Sequence, residues 1–272
     1  MFAKLLKHEF KASGRLLGIL SLCAVGSSII GSILLFFLIN IIESNADGIG
    51  AILGALTAGL LWFAIFLALI AYSITVSIVL LYRFYKHLFS DEGYLTFTLP
   101  ISTHQLLLSK ILHISICAIG AVVVVFVSGF ILVSPLIAML NKESATDIFS
   151  VFGIFADQLG QNFVSSQVFY AIAAAIYSLI LPLSSITIGS LWAKKHKILC
   201  SIGIYFGLTV AMSIISTIIS IIMLFSSSQS AMMNMDAYTT LTAIIPGILY
   251  LGLGISGYFL MHHLLKHKLN LT

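Results

Sequence analysis

Charge is the scarcest property of this sequence. Only 8% of its 272 residues are Asp, Glu, Lys or Arg, against roughly 25% in an ordinary soluble domain. A chain this poor in charge cannot clothe a core in a water-solvated surface, so a soluble enzyme or binding module is excluded. Ionisable groups are also missing where ion-driven transport would need them. No Asp, Glu, Lys or Arg lies well inside any long apolar stretch, whereas proton- or sodium-coupled carriers and ion pumps usually keep such groups at membrane depth. The Walker A pattern G-x-x-x-x-G-K-[ST] is absent, so work done by this protein draws its energy from another chain. Cysteine is sparse as well. Cys23, Cys117 and Cys200 are odd in number, far apart and within or beside apolar runs; they read as small packed hydrophobes without a disulfide framework.

What is present is apolar: 60% hydrophobic residues and a mean hydropathy of +1.14. Six charge-free stretches run from Leu16 to Ile42, Gly48 to Tyr82, Ile111 to Asn141, Gln158 to Ala193, Ile198 to Met235 and Ala237 to Leu265. Each exceeds the roughly 20 residues with which a helix crosses about 30 Å of hydrocarbon. Backbone exposed to lipid must satisfy its hydrogen bonds internally. The fold class expected is therefore an all-α integral membrane protein with six transmembrane helices. The first stretch is too long for the apolar region of a cleaved signal peptide, which spans about 7 to 15 residues.

Orientation follows from the bases. Lys4, Lys7, Lys11 and Arg15 precede the first stretch; Arg83, Lys86 and Lys110 lie between the second and third. Lys194, Lys195 and Lys197 lie between the fourth and fifth, and Lys266 and Lys268 follow the sixth. Twelve of the thirteen Lys and Arg thus share one side, with Lys142 opposite. The positive-inside rule then puts both termini in the cytoplasm of a multi-pass plasma-membrane protein. The net charge of +4 reflects this topology rather than a nucleic-acid partner. At the N-terminus, Lys4, Lys7, His8, Lys11 and Arg15 share one helical face, with Phe2, Leu5, Leu6 and Phe10 opposite. An amphipathic interfacial helix over 1–15, lying on anionic lipid, is expected. Glu9 falls in its apolar face, which calls for an ion pair to a loop or partner, or for snorkelling to the headgroups.

The one sizeable polar segment on the basic side is 82–110, YRFYKHLFSDEGYLTFTLPISTHQLLLSK between Tyr82 and Lys110. Leu81, Phe84, Leu88 and Phe89 keep helical spacing while Arg83, Lys86 and His87 take the other face, so the second helix is expected to continue as an amphipathic stalk. Ser90 can cap a new element with Asp91 and Glu92 in its first turn. From Tyr94 to Leu99 two periods compete. Leu95, Phe97 and Leu99 alternate with Thr96 and Thr98, whereas Tyr94, Leu95, Thr98 and Leu99 fit a helix; the reading adopted is a short helix or turn. Pro100 ends it, and Ser102 with Gln105 forms a capping box that opens the third helix, with Ile101 and Leu106 as its staple.

This arrangement resembles the coupling element of ABC-2 type permeases, the membrane subunits of ATP-driven exporters. In Gram-positive members a D-E-G-Y-L-x-x-x-L-P-[IV]-S run is followed by a helix carrying L-L-x-S-K, matched here by Asp91 to Ser102 and by the run ending at Lys110. The nearest subgroup is similar to exporters of amphipathic cytolytic peptides such as phenol-soluble modulins. The resemblance implies a permease without enzymatic activity, paired with a second copy or paralogue. It implies separate ABC ATPase subunits that carry ATP and Mg, with no cofactor on this chain. It assigns ATPase coupling to Ser90, Asp91, Glu92, Gly93, Tyr94, Leu95, Phe97, Leu99 and Pro100, with Glu9, Arg83 and Lys86 as further contacts to the ATPase or the membrane interface. The alternatives are a non-transporting immunity or sensor protein, and an ABC exporter of a lipid or antibiotic.

Other features carry less. On the outer side, 141–165 holds Phe149, Phe152 and Phe155 at helical spacing, read as an amphipathic extracellular element that either gates the exit path or merely connects spans. Met232, Met233 and Met235 could bind Cu(I), but an adaptable linker fits better without nearby Cys or His. His262, His263 and His267 read as membrane-border residues rather than metal ligands. The pairs Gly50/Gly54 and Gly203/Gly207, with Ala171 to Ala175 and Gly252, Gly254 and Gly257, supply small-residue packing surfaces. Hydroxyls in Tyr72 to Ser77, Ser184 to Thr187 and Ser213 to Ser220 either line a weakly polar pathway or bond their own helices.

Overall fold

Without water to receive its backbone N–H and C=O groups, an apolar chain of this length settles into helices. The computed structural model describes residues 2–44, 49–90, 102–140, 165–193, 195–229 and 235–267, and among these no strand occurs. The helices are α1 (Phe2–Ser44), α2 (Ile49–Phe89), α3 (Thr103–Leu140), α4 (Ser165–Trp192), α5 (Lys197–Gln229) and α6 (Met235–His267). The shortest has 28 residues, about 42 Å at 1.5 Å per residue. All six are long and apolar enough to cross a membrane, the architecture of a multi-pass membrane protein.

The N-terminus departs from expectation. No break separates an interfacial helix over 1–15 from the first apolar stretch; α1 is one rod of 43 residues. It holds no proline, and Gly14 and Gly18 each cost a helix only about 1 kcal/mol, too little to interrupt it. The amphipathic stretch is thus the opening four turns of a continuous helix.

The outer surface is built for hydrocarbon. Leu22, Leu60, Val122, Phe206 and Phe259 are each more than 60% exposed, and soluble monomers rarely show contiguous apolar surface on this scale. Most hydroxyls along the described spans are answered locally, the buried Ser128 and Ser166 being exceptions. Ser73, Thr75 and Ser77 donate to the carbonyls of Ile70, Ala71 and Ser73. Ser184, Ser185 and Thr187 donate to Leu181, Pro182 and Leu183, and Ser213, Ser216, Thr217 and Ser220 are likewise bonded to their own helix. Of the two readings of these runs, intrahelical bonding is the one the geometry gives. Pro135, inside α3, deprives the Ile131 carbonyl of its helical donor, and the Ser134 hydroxyl supplies one at 2.8 Å, the repair that lets proline persist at membrane depth.

The chain divides into two compact units, Ala3–Leu80 with Leu112–Gln158, and Met1–Phe2 with Leu81–Ile111 and Leu159–Thr272. Within the first, a Cβ on Gly31 of α1 would press on Ile65 of α2 and stand 3.3 Å from Leu132 of α3. Nearer its start, α1 meets α3 again, Phe10 lying edge-on to His113 at 4.7 Å. Positions 10 and 31 therefore pair with 113 and 132, so α1 and α3 run parallel, as alternate spans must.

Within the second unit α4 packs on both α6 and α5. Its seam with α6 follows a three-four spacing: Ala243, Gly247, Tyr250, Gly254, Gly257, Met261 and Leu265. Ala243, Met261 and Leu265 are buried. A Cβ at Gly247 would stand 2.8 Å from the Phe169 ring, and one at Gly257 3.0 Å from Ile180. Tyr250 stacks on Tyr177 at 5.0 Å and tilts against Tyr170 at 5.8 Å. The order of these pairs makes α4 and α6 parallel. Small residues at alternate seam positions let the two backbones close, the means by which helices associate in lipid. By contrast, among the described residues Gly203, Gly207 and Gly50 have nothing within 4 Å of a built Cβ. The glycines that meet another helix there are Gly31, Gly189, Gly247, Gly254 and Gly257.

The closest approach of a described glycine to another helix's backbone is near the α4–α5 turn, where a Cβ on Gly189 would lie 2.5 Å from the Ser201 backbone N and Cα. Backbone cannot yield as a side-chain tip can. Gly189→Ala is expected to destabilise the purified protein by about 1–3 kcal/mol, while Gly203→Ala stays within about 0.5 kcal/mol of the native chain. Thermal unfolding in detergent of the two variants measures both.

Candidate functional site

The flanks of the 82–110 segment lie within the described residues, and its middle does not. On the upstream flank α2 runs to Phe89, with Phe84 and Leu88 fully inside the protein and Lys86 exposed. Rings reinforce this last turn, Phe89 lying 6.5 Å from Phe84 and stacking on Tyr85 at 6.2 Å. Arg83 is half-buried. The stalk therefore has the two faces that its spacing called for, and Ser90 follows as a bend.

Downstream, Ser102 stands immediately before the first helical residue of α3. Its Oγ accepts the Gln105 N–H at 3.3 Å and its carbonyl the Leu106 N–H at 3.1 Å. These are the bonds of an N-cap, which satisfies a donor that the first helical turn leaves without a helical partner. Leu106 and Leu107 are buried behind it. The His104 ring reaches α6, hydrogen-bonded through Nδ1 to the Tyr258 hydroxyl and packed edge-on against His262 at 5.4 Å. The restart of α3 is thus held twice, by its cap and by a ring contact to a helix 154 residues later. Asp91, Glu92, Gly93, Tyr94, Leu95, Phe97, Leu99 and Pro100, the coupling residues of the resemblance, lie outside the described residues. So do Phe149, Phe152 and Phe155 of the outer element, and Met232 and Met233.

A second polar cluster was not visible in the sequence. In the first unit Glu9, Ser13 and His113 are 6%, 2% and 3% exposed. Ser13 Oγ donates to the Glu9 carbonyl at 3.0 Å and lies 3.1 Å from His113 Nε2. A serine has a single hydrogen to give. The Ser13 hydroxyl thus bridges the Glu9 carbonyl and the His113 ring, and the tautomer of the ring sets which of the two receives its hydrogen. Cys117 Sγ sits one turn along α3, 3.8 Å from the same ring. The cluster is a latch between the first turns of α1 and α3. One signal was available in the residues: His113 falls a turn beyond Lys110 on an otherwise apolar helix.

Among the described residues no group of three or more His, Cys, Asp or Glu could hold a metal ion. Comparison of the chain with protein-family models, curated proteins and solved structures finds no match in any of the three.

The latch makes a specific demand on stability. Ser13→Ala removes the hydroxyl that bridges the Glu9 carbonyl and the buried His113 ring and is expected to cost about 1–3 kcal/mol. Combined with His113→Phe, the loss is expected to be smaller than the sum of the two single losses. Denaturant unfolding of the two single variants and the double variant gives the coupling, and strictly additive losses would show that the two side chains do not interact.

Proposed function

We propose that this chain is the permease subunit of an ATP-driven exporter. A separate ABC ATPase subunit carries ATP and Mg, and the segment from Ser90 to Pro100 is where that subunit docks. The observation that carries this reading is the bracket around the segment. A stalk anchored by buried Phe84 and Leu88 ends at Phe89, and a capped, ring-tethered helix restarts at Thr103. Firm ends let a force applied to the intervening acidic run move helices instead of dissipating in a loose loop. The absence of a nucleotide motif and of ionisable groups deep in the apolar stretches supports the same division of labour.

In this reading the chain sits in the cell membrane with both termini in the cytoplasm. A second permease copy or paralogue completes the pathway, and the open face at Gly203 and Gly207 leaves room for one. The substrate class that suits an apolar pathway is an amphipathic or hydrophobic molecule, with cytolytic peptides of the phenol-soluble modulin type as the best fit. An exterior so rich in exposed Leu, Ile and Phe suits a route along the protein's flank.

The experiment is co-expression with a cognate ABC ATPase, followed by purification of the complex and assay of ATP-dependent peptide export from cells. Asp91→Lys combined with Glu92→Lys is expected to abolish assembly or transport, leaving helix content unchanged by circular dichroism. Full assembly and transport in that variant would overturn the assignment of the segment. Function without any ATPase would favour the immunity or sensor reading.

A further inference from the structure

The turn between α4 and α5 is basic: Lys194, Lys195, His196 and Lys197 follow one another, and no Asp or Glu occurs between Asp157 and Asp236. The turn is also very short. Helix α4 ends at Trp192 and α5 begins at Lys197, both helices being long and apolar enough to cross a membrane. Four residues cannot carry a cluster away from the bilayer surface, which keeps the ammonium groups of Lys195 and Lys197 at the depth of the lipid headgroups. Trp192, 79% exposed, stands where amphipathic rings anchor at that boundary.

At this turn the second unit has a cavity of about 380 Å³. Lys195, His196 and Lys197 line it on one side and Tyr85, from the last turns of α2, on another. Its remaining wall is aliphatic, formed by Ile198, Leu199 and Ile202 of α5. These three side chains are themselves exposed, Leu199 by 75%, so the cavity opens along the outer face of α5 and not only toward water. Cationic groups at one end and alkyl surface at the other, at headgroup depth, match a molecule with a phosphate head and hydrocarbon tails.

We propose that this cavity is a binding site for an anionic phospholipid, whose phosphate is held by Lys195 and Lys197 with Tyr85 beside it and whose first methylenes lie along Ile198 and Ile202. Basic pockets between membrane helices commonly take phosphate headgroups. An acidic protein surface would satisfy the lysines but leave the aliphatic wall facing lipid. The site needs only the membrane-spanning architecture and is independent of the transport reading.

The test is native mass spectrometry of the full chain, purified in a neutral detergent and offered equal amounts of dioleoylphosphatidylglycerol and dioleoylphosphatidylcholine. A lysine at a bilayer surface favours anionic lipid by about fivefold. Wild type is expected to retain phosphatidylglycerol selectively, and Lys195→Gln with Lys197→Gln to lose about 25-fold of that preference. The charge-retaining pair Lys195→Arg with Lys197→Arg keeps it. Should the glutamine pair fail to fold, Lys195→Gln alone, at an exposed position outside any helix, carries the test with about a fivefold loss. Lys266→Gln, exposed on α6, leaves the preference standing. Equal retention of both lipids, or equal loss from Lys195→Gln and Lys266→Gln, overturns the proposal, the latter by showing diffuse attraction instead of a site. Displacement of the lipid by inorganic phosphate alone overturns the lipid as ligand in favour of a soluble anion. Unchanged lipid preference with lost binding of an ATPase would overturn it in favour of a protein surface.

Discussion

Everything in this molecule depends on the fact that hydrocarbon accepts no hydrogen bonds. A polar atom on the apolar stretches must find its partner within the protein or incur several kcal/mol. That one constraint explains why the chain is helical and why its serines and threonines fold back on carbonyls three or four residues earlier. It also explains why Ser134 stands beside Pro135 to answer Ile131. Most of these groups make no call on a neighbouring helix; Ser201, which reaches the Ile186 carbonyl of α4, is an exception. Elsewhere the helices meet largely through shape, as the glycines of α6 do against Phe169 and Ile180.

Much of this was legible in the residues because it is local. The six apolar stretches appear as six helices, the stalk ends at Phe89 within one turn of where its spacing stops, and Ser102 caps α3 through Gln105 as the S-x-x-Q pattern requires. Each of these depends on neighbours a few positions away. The interfacial helix expected over 1–15 rested on composition, amphipathic there and wholly apolar beyond, yet α1 runs through both without a break. Composition decides which solvent a helix faces; only proline, a run of glycine or a competing cap decides where it stops, and α1 has none there.

What escaped the sequence is what distance along the chain conceals. The partners Ser13 and His113 are 100 residues apart, and His104 and Tyr258 are 154 apart; no periodicity links them. The glycine pairs show the same limit from the other side. Gly203 and Gly207 share the spacing of a packing motif yet meet nothing among the described residues, while Gly189, outside any such pattern, meets the Ser201 backbone directly. Spacing reveals that a face is smooth. Only the fold reveals which smooth face has a neighbour.

The parallel seam of α4 and α6 has a thermal consequence. In water, apolar contacts draw strength from releasing hydration, and that release gives soluble folds a large heat-capacity change and a stability that fades on cooling. Lipid tails are as apolar as the side chains they would replace, so parting Gly247 from Phe169 or Tyr250 from Tyr177 wets nothing. The seam is held by dispersion between surfaces that fit, and its strength varies little and nearly linearly with temperature. A chilled membrane can stiffen around this pair of helices, but it does not weaken the contact between them.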